Sequence, residues 1–195
     1  MKKLIFAIAV ALFSTAGIQA QSTSFGLKAG MTASNLKFSG DNFDVSTDTK
    51  IGFYAGLMTD FGISENISVA PELFYSMMGA KASADGEDAK INLGYLNLPV
   101  LLKYKSQGLS VFLGPQVSYL IAAKEKFNSE TNDAKEDYDA IDFSGVIGAG
   151  YTLMNGFGFD ARYQMGFADI VKDNEGGGKL KNNAFMVGIH YFFTR

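Results

Sequence analysis

Apolar and polar positions alternate one by one through most of this chain. In Phe157 to Ala168 the odd positions are Phe157, Phe159, Ala161, Tyr163, Met165 and Phe167, and the even ones are Gly158, Asp160, Arg162, Gln164, Gly166 and Ala168. A period of two belongs to a β-strand whose two faces meet different surroundings. The same rhythm runs through Phe25 to Phe38, Ile51 to Phe61, Ile67 to Met77, Ile91 to Tyr104, Leu109 to Ala123, Ile141 to Leu153 and Asn182 to Phe193, which predicts eight strands. Within the third, Pro71 marks an edge strand or a bulge, because it cannot donate to a ladder.

The connections between these strands are ordered. Gly62 to Asn66, Ser106 to Gly108 and the hairpin signal Asn155-Gly156 are short, and they alternate with polar stretches over 39–50, 79–90, 124–140 and 169–181. All short turns therefore fall at the end where both termini lie, and all long loops at the other. The predicted fold is all-β, an eight-stranded antiparallel up-and-down transmembrane β-barrel. A soluble up-and-down barrel is the competing architecture, since it alternates too.

Charge separates these two. The polar face carries about one charge per strand, set among glycines, serines and alanines, whereas a solvated exterior would be densely charged. The opposite face is nearly free of charge, as lipid demands. Aromatics gather near the strand ends, with Phe61, Tyr104, Phe157 and Phe193 toward the short turns and Phe53, Tyr75, Tyr119, Phe143, Phe167 and Phe185 toward the loops. They fit two interfacial girdles.

The first twenty residues change the picture of where the chain resides. Lys2 and Lys3, the apolar run Leu4 to Phe13 and the small-residue end at Ala20 have the order of a secretory signal peptide, with cleavage expected after Ala20 and a cut after Ala16 as the alternative. Residues 1–20 are thus the signal and 21–195 the barrel domain, of about 175 residues. Losing Lys2 and Lys3 takes the formal net charge from -3 to -5, and an acidic chain without basic clusters argues against nucleic acid as a partner. There is no cysteine, hence neither a disulfide framework nor a thiolate metal site.

Several segments are familiar. YLNLPVLLKY, VFLGPQVSYLIAAK, FSGVIGAGYTL, DARYQMGFADI and FMVGIHYFF resemble the small outer-membrane β-barrel family widespread in Bacteroidetes, described as porin-like or PorT-like. The resemblance covers essentially the whole mature chain and is specific for architecture, not activity. It implies residence in a Gram-negative outer membrane with periplasmic termini, contact with outer-membrane lipid, and insertion by the barrel assembly machinery. The last strand resembles the assembly signal of such proteins, with Gly188 followed by Tyr191 and Phe193. It departs from that signal at Met186, where a polar residue is usual, and at the terminal Thr194-Arg195, where an aromatic is.

Candidate chemistry is confined to the inward face. Lys28, Asp60, Glu72, Asn97, Lys103, Gln116, Asp160, Arg162, Gln164 and His190 form the predicted lumen network, structural in role. Counted from the short turns, Glu72, Arg162, Asp160 and Lys28 share a height, Asp60, Lys103 and His190 lie lower, and Asn97, Gln116 and Gln164 lie higher. Three acids match three bases, as a buried network requires. Arg162 is expected to pair with Glu72 across the lumen. The sharper alternative is a gated ion path.

No catalytic, cofactor-binding or metal-binding residue is assigned. His190, the single histidine, faces inward near the short turns, away from any lipid head group a hydrolase or acyltransferase would attack. Fifteen of the twenty acids lie in the loops, where 124–140 reads as a solvated external segment; its spacing matches no calcium loop. The expectation is an outer-membrane barrel without an open pore, in a structural, surface-interaction or secretion-accessory role with no protein partner named by its residues. A small channel for ions or hydrophobic molecules is the alternative.

Overall fold

The computed structural model describes residues 22–40, 43–46, 48–84, 87–127, 130–172 and 179–193. The signal peptide assigned to 1–20 and the chain end Thr194-Arg195 lie outside the described residues. Ten strands follow in order: β1 (Thr23–Gly40), β2 (Phe43–Ser46), β3 (Asp48–Gly62), β4 (Ile67–Ala84), β5 (Glu87–Ser106), β6 (Leu109–Phe127), β7 (Glu130–Asp133), β8 (Ile141–Thr152), β9 (Phe157–Gly166) and β10 (Lys179–Phe192). Each long strand pairs antiparallel with the next, and β1 closes on β10 over a register that runs from Gly26–Phe192 to Ser39–Lys179. The result is a closed eight-stranded barrel, with the short strands β2 and β7 attached to β1 and β6 at the loop end. Closure pairs each of the eight barrel strands on both sides, while β2 and β7 pair on one side only.

The alternation sorts the faces as it does in the sequence. Leu27, Met31, Leu57, Leu113, Ile147, Phe159 and Ile189 point outward and are each about half exposed, while Lys28, Thr32, Tyr54, Glu72, Asn97, Gln116 and Arg162 point inward and are buried. The short-turn end is built as the pattern predicts. Gln107 and Gly108 both take positive φ, 51° and 86°, which is the mirror-image turn that matches strand twist. Gly156 (φ 88°) ends a turn closed by Leu153 and Phe157, and the Phe157 amide donates to Asn155 Oδ1.

Strand boundaries differ from the sequence reading in all four polar stretches: 39–50 holds the end of β1, all of β2 and the start of β3, and 169–181 holds the start of β10. The polar stretches 79–90 and 124–140 are not loops throughout, because β4, β5 and β6 continue through them and rise above the outward apolar band. Backbone pairing needs no apolar side chains, so alternation loses the strand where both faces become polar. Pro71 marks neither an edge nor a register shift: β4 stays in register with β5 across it, and Thr59 Oγ1 donates to the Pro71 carbonyl at 2.8 Å. The irregularities fall elsewhere, between Thr49 and Tyr54 on β3 and at Gly94/Tyr95 on β5.

The segment after β6 folds over the barrel mouth. Ala134 and Tyr138 are buried while Lys135, Glu136 and Asp137 of the intervening 3-10 turn are exposed. Tyr138 bridges to Val171, the Asp139 amide donates to the Ile170 carbonyl, and the Ile170 amide donates to Leu180. Ala134, Tyr138 and Ile170 thereby join Leu36, Leu93, Leu120 and Ala123 in one apolar cluster that lids the lumen. Burial, and then the hydrogen bond the Tyr138 hydroxyl donates to Glu125 at 2.9 Å, raise that phenol above its ordinary value. Glu125, Asp133, Glu136 and Asp137 of 124–140 are solvated as read, but Ala134 and Tyr138 are not.

Inside, glycines make room for rings. A Cβ on Gly148 would stand 2.6 Å from the Phe112 ring and 2.6 Å from the Ala161 carbonyl, one of which is backbone and cannot step aside. A Gly148→Ala change is therefore expected to lower unfolding stability by about 1–3 kcal/mol through overpacking. The urea midpoint of the protein refolded in lipid vesicles measures it, and an unchanged midpoint would contradict the packing described.

Candidate functional site

Every barrel strand except β8 contributes to the ten inward polar residues singled out in the sequence, and all ten side chains are buried within the barrel. They fall into three tiers. The middle tier is a girdle of four charges. Glu72 on β4 receives Lys28 Nζ at 2.7 Å on Oε2, and the Arg162 guanidinium at 2.7 Å on Oε2 and 3.3 Å on Oε1. Arg162 turns its remaining edge to Asp160 Oδ1, with Nε at 2.9 Å and Nη2 at 2.8 Å. Two cations thus face two carboxylates, and the guanidinium fork holds both acids at once, which a lysine could not do.

Rings hold the girdle's cations from the sides. Lys28 Nζ sits 4.8 Å from the Phe74 ring centre and 5.2 Å from Tyr54, and Arg162 lies 4.9 Å from Phe112. Low-dielectric walls strengthen the ion pairs and raise the cost of losing either partner. Sequence alternation places Tyr54 inward, but Phe74 and Phe112 were not singled out, since a phenylalanine by itself reads as outward on an oily strand. Their signal was positional: each occupies an inward step between polar neighbours, Glu72 and Ser76 for one and Ser110 and Gly114 for the other.

The lower tier opens toward the short turns. His190 Nε2 lies 3.0 Å from Thr152 Oγ1 and its Nδ1 lies 3.5 Å from Asp160 Oδ2, so a proton on Nδ1 suits both neighbours. Asp60 receives Lys105 at 2.7 Å and approaches Lys103 at 3.4 Å. Lys105 corrects the expected charge balance: β5 runs on to Ser106, past Tyr104 where the predicted strand ends, and its next inward residue is this lysine. Asp60, Lys103, Lys105, Ser110, Thr152 and Phe192 line a vestibule of about 200 Å³.

The upper tier is made of amides and hydroxyls. Asn97 Nδ2 donates to the Phe74 carbonyl at 3.2 Å and to Ser76 Oγ at 2.8 Å, leaving its Oδ1 to accept from Gln116 Nε2 at 3.2 Å and Ser118 Oγ at 2.8 Å. Gln164 stands in the same tier without a hydrogen-bond partner. Asp142, read only as one of the scattered inward charges, is buried here on β8 with neither oxygen paired. Among the described residues no group of three or more His, Cys, Asp or Glu could hold a metal ion.

A ring of strands that is apolar outside, charge-paired inside and lidded at one end is the architecture of a membrane barrel. A family model for the outer membrane protein beta-barrel domain matches residues 19–172. The chain belongs to that family. Two solved outer-membrane barrels show the same fold. Neisserial surface protein A aligns over 87% of this chain and 98% of its own at 16% identity with a TM-score of 0.54. Ail, the attachment invasion locus protein of Yersinia pestis, aligns over 88% and 99% at 16% identity with a TM-score of 0.51. At such identity the likeness is one of fold alone. No curated protein sequence matches the chain.

As an outer-membrane barrel the protein crosses lipid with its strands, and no helix among the described residues is long and apolar enough to do so. The girdle then sits at membrane depth, where an unpaired charge finds no water. Replacing Arg162 by Met, which leaves Glu72 and Asp160 facing Lys28 alone, is expected to cost about 3–5 kcal/mol. Adding Glu72→Gln to that variant should recover part of the loss, because it removes one orphaned charge. Vesicle-based urea titrations of the two variants test the coupling, and equal losses in both would refute it.

Proposed function

We propose that this outer-membrane barrel has no open pore and serves a structural or surface-interaction role in a Gram-negative outer membrane, presenting its tall β4–β5 and β6–β7 hairpins outside the cell. The observation that carries the reading is the Glu72–Arg162 contact at 2.7 Å, between side chains drawn from β4 and β9. An eight-stranded interior is only wide enough for its own side chains. Here the girdle, its flanking rings and the Tyr138–Ile170 lid occupy it in series. Supporting the same reading, the four girdle charges pair with one another, and the one hydroxyl beside the acid-linked histidine, Thr152 by His190, lies inside the barrel near the short turns. We read the protein as a non-enzyme on that ground, without a cofactor and without affinity for nucleic acid.

The remaining parts of the proposal follow from the chain's organisation. Residues 1–20 would direct export, the barrel assembly machinery would insert 21–195, and both termini would lie in the periplasm beside the short turns. A secretion-accessory role belongs to the PorT-like resemblance alone.

Two measurements decide between this reading and a small channel. In planar bilayers the wild type should give no steady current, while the triple variant Lys28→Ala, Glu72→Ala, Arg162→Ala should conduct if its lid also opens; steady wild-type conductance would establish the channel instead. A protease site introduced after Phe193 should be cut only when the outer membrane is breached, and cutting in intact cells would reverse the orientation.

A further inference from the structure

Lysines are placed on the outer wall of this acidic chain with a bias. Above the apolar band, β4, β5 and β6 set three of them side by side: Lys81 is registered against Lys90, and Lys90 against Lys126. All three point away from the lumen, because Ala80, Leu93 and Ala123 on the opposite parity are buried within it. Lys124, exposed like Lys126, stands one outward step lower on β6. Across the ring, Lys37 of β1 is registered against Lys181 of β10.

Both groups keep one height. Met77, Gly94 and Ala122 are registered together at the top of the outward apolar band, and the lysine row lies four residues beyond them on each of the three strands. Ala33 and Phe185 are registered at the corresponding place on β1 and β10, and Lys37 and Lys181 again lie four residues further on. Four residues of a tilted barrel strand rise about 10 Å, which sets the ammonium groups within a side chain's reach of the headgroup layer. Like charges directly opposite each other on a sheet repel, and the chain has twenty acids with which to alternate them. Two are used so. Asp48 is registered against Lys81 and Asp133 against Lys124, while Glu125 turns to the Tyr138 hydroxyl. Among the described outward side chains of β3 to β7, four lysines thus meet two acids.

We propose that the Lys81–Lys90–Lys126 row, with Lys124 beneath it, binds the phosphate groups of a phosphorylated glycolipid in the outer leaflet. Opposed residues stand with their Cβ atoms about 5 Å apart, so one phosphate can accept from two ammonium groups at once, and the repulsion along the row becomes attraction to a shared anion. A flat sheet face gives a free phosphate ion no enclosure, whereas a lipid delivers its phosphate at this height and lays its acyl chains along Met77, Leu96 and Ile121 below. The Lys37–Lys181 pair, with two charges instead of four, holds lipid more weakly. This inference rests on the reading of the loop end as the external one.

The full mature chain, folded in detergent micelles and titrated with bisphosphorylated lipid A under native mass spectrometry, tests it. Combining Lys81→Gln, Lys90→Gln and Lys126→Gln should weaken the affinity for the first lipid at least tenfold, and arginine at the same three positions should restore it. Lys37→Gln with Lys181→Gln should leave that first affinity within twofold of the wild type. Lipid A stripped of its phosphates should bind the wild type no better than the intact lipid binds the glutamine triple variant. Unchanged affinity in that variant, no rescue by arginine, an equal loss in the Lys37–Lys181 variant or undiminished binding of the dephosphorylated lipid would each overturn the proposal. Micelles have no sides, so the outcome is independent of which end faces outward, and the protease site after Phe193 reads that orientation separately.

Discussion

Closing eight strands into a ring fixes an interior about as wide as the side chains that fill it, and nearly everything else in this protein answers that constraint. A narrow lumen at membrane depth has no water to spare, so the girdle's charges end on opposite charges, and its large rings lie where a glycine makes room. Both rules are visible at one level. Arg162 ends on Glu72 and Asp160, Phe112 lies against Gly148, and the cation of one layer rests on the ring of the next. The outward face faces no such matching problem, and its apolar side chains are correspondingly interchangeable in kind.

The girdle is therefore a consequence of closure as well as a filler. Lys28 comes from β1, Glu72 from β4 and Asp160 with Arg162 from β9, and the Arg162–Glu72 hydrogen bonds span 90 residues of chain. None of these pairs joins neighbouring strands of a hairpin. Asp160 and Arg162 share a face of β9 and can pair in an open sheet, but Arg162 and Glu72 cannot, so that part of the electrostatic gain arrives only when β10 meets β1. Burying charges in this way stabilises the ring less than it specifies it: an alternative register would leave a carboxylate or a guanidinium alone in the lumen, at a cost of several kcal/mol by the usual scale of broken buried pairs.

Much of this was legible in the alternation of residues. Period two assigned inward and outward faces along all eight strands, because each side chain's face depends only on parity once a strand is continuous. The heights counted from the short turns brought Glu72 and Arg162 together, since tight turns pin the register at that end. Parity fails where its assumption does. At the loop end both faces turn polar, so β4, β5 and β6 outrun their predicted ends and Lys105 at the other end was passed over by one step. Phe74 and Phe112 were hidden because composition, not position, suggested that phenylalanine belongs outside. Pro71 misled for a backbone reason: the cost of its missing N–H is local, and the Thr59 hydroxyl meets the Pro71 carbonyl without shifting the register. The lack of any partner for Asp142 could not be read at all, because pairing across a lumen depends on shear and side-chain reach together.

The order of the tiers along the axis also carries meaning. From the short turns upward the lumen passes from a lysine-rich vestibule through a neutral girdle to amides, then to one unpaired carboxylate, and last to the apolar lid of Leu36, Leu93, Leu120, Tyr138 and Ile170. Polarity does not decline smoothly, as it would if burial alone chose the residues. It falls to neutrality at the girdle by pairing, then reappears as unpaired oxygen above it, immediately beneath the driest part of the molecule. A plug that needed only to fill space would place leucine at 142 and 164, as it does at 93 and 120.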